Sequence, residues 1–100
     1  MSTPTVYDFL FDDDNEEEFA RHGVTSDEVL QVLENRPAIE PNRRARRGKY
    51  LVIGLAHGGS CLAIPIEPTH DPEIWRPITA WPCKKSEIAK LHKAQGGRNA

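Results

Sequence analysis

Apolar and polar positions alternate with two different periods along this chain, and the change falls near its middle. From Phe11 to Leu33 the apolar residues Phe19, Val29, Leu30, Val32 and Leu33 fall at helical spacing, broken once at His22-Gly23. Glycine supplies the left-handed conformation that ends a helix, and Arg21 puts a cation in the last turn, so the first helix closes there. Thr25 with Glu28 three residues on has the spacing of a capping box, and Val24 with Val29 that of a hydrophobic staple. Asn35 and Pro37 end the second helix. The acidic run Asp12 to Glu18 belongs at the start of the first helix, where carboxylates suit the dipole.

From Lys49 the period becomes two. Leu51, Ile53 and Leu55 point one way and Tyr50, Val52 and Gly54 the other. Ala56 to Ser60 reads as a turn and Cys61 to Ile66 as the returning strand of a hairpin. Pro65, which has no N–H, assigns that strand to an edge or a bulge. Ile74 to Trp81 reads as a third strand, with Trp75, Trp81 and Tyr50 on one face by parity. Residues 5–11 and Ala38 to Glu40 are further short strand segments. Ser86 is placed to cap a last helix running to about Ala94, with Ile88 and Leu91 on its apolar side. The expected fold is a two-layer α+β domain: an N-terminal helix hairpin, a three- to four-stranded antiparallel sheet and a C-terminal helix. A single domain spans residues 1–95, with a Gly-rich flexible tail over 96–100.

Charge sharpens this picture. Residues 1–42 hold eleven carboxylates and two arginines, while residues 43–100 hold eleven lysines and arginines and four carboxylates. A domain divided in this way offers one surface of each sign, and the basic one suits a polyanion. The other reading is two solvated faces. The two cysteines, Cys61 and Cys83, lack metal-site spacing and read as reduced thiols. No secretory leader and no membrane-length apolar run is visible, so the expected setting is cytoplasmic, with no membrane contact.

Several blocks together resemble a known family: FDDDN, FARHGVT and DEV, then KYLVIG before a Gly-rich turn, then WRPITA ahead of a charged helix containing Glu87. Over residues 7–94 the chain is similar to the BrnT-type toxins of bacterial type II toxin–antitoxin systems. The resemblance implies a RelE-like fold and endoribonuclease activity, needing neither metal nor cofactor, that inhibits translation. It also implies neutralisation by a cognate antitoxin, through which alone the toxin would meet DNA. The chain departs from the family pattern at Trp81, where an arginine is usual, and at Leu91 or His92, where a tyrosine is usual.

Metal-free RNA cleavage needs a base for the 2′-hydroxyl, an acid for the leaving oxygen, and cations for charge growing on phosphorus. Arg76, Lys84 and Lys49 are the candidate phosphate clamps, with Lys85 and the arginines Arg43, Arg44, Arg46 and Arg47 extending the track along RNA. His57, in a turn, or His92, near the family's tyrosine, would move protons. Glu87 or Glu67 is a candidate base, and Trp81 a platform for a stacked base. Each has a structural alternative: Arg76 paired with Glu73 or Asp71, Glu87 in ordinary helix capping, the tryptophans in the core. A module of the same fold that binds RNA or protein without cutting it is the alternative to a nuclease.

Overall fold

The computed structural model describes residues 3–42 and 48–96. Strand β1 (Asp8–Phe9) leads into helices α1 (Asp13–Arg21) and α2 (Ser26–Leu33). Strands β2 (Ala38–Pro41), β3 (Tyr50–Leu55), β4 (Cys61–Pro68), β5 (Ile74–Pro77) and β6 (Trp81–Pro82) follow, and α3 (Lys85–Ala94) ends the order. The protein is α+β, with one mixed sheet in the order β1-β5-β4-β3-β2 and β6 also on β4. All neighbours are antiparallel except β1 and β5, which run parallel. The expectation of a wholly antiparallel sheet of three or four strands is therefore corrected: the N-terminal segment adds a parallel edge and the third expected strand is divided in two.

The α1–α2 junction follows from its residues. Gly23 sits at φ +72°. Its N–H donates to Ala20 O at 3.0 Å and that of Val24 to Phe19 O at 3.0 Å. This double closure satisfies carbonyls the helix would otherwise leave open. Thr25 N–H donates to Glu28 Oε1 at 2.9 Å and Glu28 N–H to Thr25 Oγ1 at 3.1 Å, completing the capping box. Val24 and Val29 meet Phe19 in the core. At the other end of the chain the expected cap moves: Lys84, not Ser86, is the N-cap of α3.

Both faces of the sheet are covered, so the two-layer expectation becomes three. Val52, Leu62, Ile64, Ile66 and Trp75 pack with Phe19, Val29 and Val32 beneath α1 and α2. On the opposite face Ala38, Leu51, Ile53 and Ala63 pack with Leu91 of α3. The nearly unbroken apolar runs YLVIGL and CLAIPI are what a strand buried on both faces requires.

β4 lies inside the sheet, so Pro65 is not on an edge strand; it marks a break in pairing. Pro65 O accepts from Ile78 N–H at 2.9 Å, which puts the missing Pro65 donor on the side of β5 and β6. There the ladder is interrupted from Ile78 to Ala80 and resumes one residue out of register: Arg76 lies opposite Glu67, but Trp81 lies opposite Ala63. One extra residue reverses the side-chain parity. Trp75 consequently joins the α1–α2 core, edge-on to Tyr50 with ring centroids 5.5 Å apart. Trp81 packs on the α3 side instead, correcting the expected single aromatic face.

The same slip aligns Cys83 across from Cys61, and the two form a disulfide with Cα atoms 5.2 Å apart. The expectation of two reduced thiols is overturned.

Gly54 faces α2, where a Cβ would stand 2.7 Å from Val32 Cγ1 and 3.0 Å from Pro37 Cβ. Gly54→Ala is expected to lower stability by about 1–3 kcal/mol through overpacking, measured as a lower denaturant midpoint with unchanged slope.

Candidate functional site

Arg76 projects from β5 onto the α3 side of the sheet, at the end that α3 leaves uncovered. Its Nε donates to Asp12 Oδ2 at 2.7 Å, Nη2 to Asp12 Oδ1 at 3.1 Å, and Nη1 to Glu67 Oε2 at 3.0 Å. A two-pronged contact of this kind is the strongest arginine–carboxylate geometry. Glu67 is there because it faces Arg76 across the β4–β5 pair. Asp12 is there because it is the N-cap of α1, accepting from Asn15 N–H at 2.8 Å while Asn15 Oδ1 accepts from Asp12 N–H at 2.9 Å. Asn15, fully buried, also donates to Leu10 O and Pro77 O, both at 2.9 Å. One polar knot thus fastens the start of α1 to the end of β5.

The electrostatics follow. Arg76, and next the Asn15 N–H, hold the Asp12 carboxyl below the usual carboxylate range. Asp12 in turn raises the Arg76 guanidinium above its ordinary value. Arg76 is thus set among opposite charges, which engage one N–H on each of its three nitrogens, three of its five donors.

Lys49, exposed, stands one residue before Tyr50, and its N–H donates to Ile66 O at 2.7 Å. The β3–β4 register ends with Tyr50 opposite Ile66, and the Lys49 N–H bond to that same Ile66 O keeps Lys49 beside this pair, next to Glu67 and Arg76 of the following pair. Lys84 and Lys85 stand at the start of α3, beyond Cys83, whose N–H donates to Cys61 O. Positions 61 and 67 of β4 are six residues apart, about 20 Å along a strand. Lys49 and Arg76 therefore share one end of the sheet, while Lys84 and Lys85 share the other. Arg43, Arg44, Arg46 and Arg47 lie outside the described residues, as does the tail from residue 97.

At the α3 end Glu87 is buried, accepting from Lys84 N–H at 2.8 Å and from Trp81 Nε1 at 3.2 Å. It ties the first turn of α3 to the indole. Trp81 is half-buried against the α3 core, so only part of its ring faces solvent. His57 lies elsewhere again, in the β3–β4 turn, with Nε2 2.7 Å from Glu34 Oε1 and its backbone N–H on Gln31 Oε1. His92 is exposed on α3. The residues expected to cut RNA form no single constellation: one group surrounds Arg76, one the start of α3, and one the end of α2.

The polar knot is what sequence reasoning passed over. Its signal is Asp12 with Asn15 three residues on, a capping-box spacing hidden inside the acidic run. No protein-family model matches the chain, and no curated protein matches it in sequence. Among the described residues, no helix is long and apolar enough to cross a membrane.

Removing Arg76 leaves two carboxylates facing each other across a half-exposed gap. Arg76→Ala is expected to cost about 1–2 kcal/mol once solvent screening is allowed for, read by thermal or denaturant unfolding. Because the folded Asp12 value is depressed, its contribution is present above the ordinary carboxylate range and is lost as pH falls through the lower folded value. Asp12→Asn, which keeps a capping side chain, is therefore expected to flatten the stability profile below about pH 4, as an acid titration followed by circular dichroism would show.

Proposed function

We propose that this chain is an RNA-binding module of the BrnT and RelE type that grips the phosphate backbone through its basic layer and does not assemble a cutting centre. The observation that carries this reading is the opposite charge of the two helical layers. Residues 13–34, forming α1 and α2, hold eight carboxylates and one arginine. Lys84 through Ala94, forming the α3 layer, hold Lys84, Lys85, Lys90 and Lys93 against Glu87, which is buried and internally bonded. Lysines spread in this way suit the repeated phosphates of a strand better than a single scissile phosphodiester.

Binding without cleavage is favoured by how the catalytic candidates are employed. Arg76 and Glu87 hold the fold together, and His57 pairs with Glu34 at the end of α2. The block-by-block likeness to BrnT-type toxins supports the fold assignment and a bacterial toxin–antitoxin setting. In that setting translation is inhibited by occupancy of RNA, and the acidic α1–α2 layer is left for a protein partner such as an antitoxin.

The test is titration of the protein into labelled single-stranded RNA across a salt series, in chelator, with the RNA products resolved afterwards. The expected result is salt-sensitive binding and intact RNA. Lys84→Ala with Lys85→Ala should lower the log–log salt slope by about 0.7 for each phosphate no longer neutralised. Absence of binding at low salt, or an unchanged slope in the variant, overturns the RNA reading. New RNA ends in chelator overturn binding without cleavage and restore the nuclease.

A further inference from the structure

The Cys61–Cys83 bridge lies in a setting that distinguishes its two sulfurs. Both cysteines are only half-buried and line an open hollow of about 320 Å³, shared with Gly23, Glu28, Ser60 and Ile88. Ile88, on the first turns of α3, is 49% exposed, and Gly23 brings no side chain to the rim. A molecule the size of a small thiol has a way in. Cys83 directly precedes the N-cap of α3 and is followed by Lys84 and Lys85. A helix start and adjacent lysines both stabilise a thiolate. Cys61 has neither, standing at the head of β4 after the turn residue Ser60.

The carboxylates that face the bridge do not cancel this asymmetry. Glu28, on the rim from α2, is engaged by the Thr25 N–H and hydroxyl at 2.9 and 3.3 Å. Glu87, from α3, is engaged by Lys84 N–H and by the Trp81 indole. Both carboxylates already receive local donors, and the exposed Lys84 and Lys85 follow Cys83 directly in the chain.

We propose that Cys61–Cys83 is a reversible thiol-exchange site for low-molecular-weight thiols, opened by attack on Cys61 with Cys83 as the leaving thiolate. The attacking thiol loses its proton to solvent and its sulfur bonds to Cys61 Sγ. The Sγ–Sγ bond breaks, and its electron pair leaves on Cys83. A second small thiol then attacks the reagent sulfur of the mixed disulfide, releasing Cys61 and a small-molecule disulfide. Two electrons pass from the two thiols to the bridge.

Opening leaves the fold in place. Cys83 N–H still bonds Cys61 O, Leu91 stays in its core, and Trp81 stays on Glu87. What loosens is the entry to α3, where Glu87 and Ile88 N–H groups rest on Lys84 O.

The test incubates the native protein with reduced and oxidised glutathione in varied ratios, quenches by alkylation, and locates the label by mass spectrometry. The expected trapped intermediate is glutathione on Cys61. Once reduced, Cys83 should alkylate about three- to tenfold faster than Cys61 near neutral pH. Amide exchange of Glu87 and Ile88, whose N–H groups rest on Lys84 O, should quicken on reduction, while that of Val52 and Ile64 in mid-sheet stays unchanged. These readouts use the wild-type chain and do not depend on RNA binding. A bridge that opens only on global unfolding overturns the proposal. So does glutathione trapped on Cys83, or equal alkylation of the two thiols.

Discussion

Pro65 has no N–H to give, and the sheet is arranged around that missing donor. Facing the side where β5 should continue, it leaves the ladder open at Ile78 to Ala80 and lets the chain take up one extra residue. Everything after the slip is turned over relative to everything before it. Trp75 goes to the α1–α2 core, Trp81 and Cys83 go to the α3 core, and the disulfide to Cys61 becomes geometrically available. Restoring continuous pairing would direct Trp81 into the wrong layer and leave α3 without its indole anchor.

A second constraint fastens the opposite end of the sheet. Asp12 is at once a helix cap and a partner for Arg76, and Asn15 is at once the other half of the cap and a donor to two buried carbonyls. Buried polar groups left unpaired are costly, so such a network favours one arrangement of α1 on the sheet over its neighbours. The same employment bears on function. A guanidinium flanked by Asp12 and Glu67 has two of its five N–H groups left, and a phosphate approaching them would meet both carboxylates. The clustered lysines of α3 have no comparable internal demand, apart from the Lys90–Glu40 pair at 3.0 Å.

Charge segregation along the chain becomes segregation across the sheet. The acidic helices lie on one side and the basic helix on the other, with two apolar layers and the strands between them. The separation is not complete, since Glu40 pairs with Lys90 of α3 and Glu67 pairs with Arg76 on the same side.

Local chemistry was legible in the sequence. The Gly23 closure, the Thr25–Glu28 box, the valine staple, the end of α2 and the β3–β4 hairpin all follow from contacts within a few residues, where residue type alone limits the outcome. The sign of each helical layer was equally a matter of residue type. Three things were decided only by tertiary structure. The double coverage of β3 and β4 depended on where α3 docked. The faces of the tryptophans and the Cys61–Cys83 pairing depended on a one-residue slip opposite Pro65. The distance between Arg76 and Lys84 depended on their lying toward opposite ends of β4. In each case the controlling partner lies many residues away, and side-chain parity counted along one strand holds no information about the register of the next.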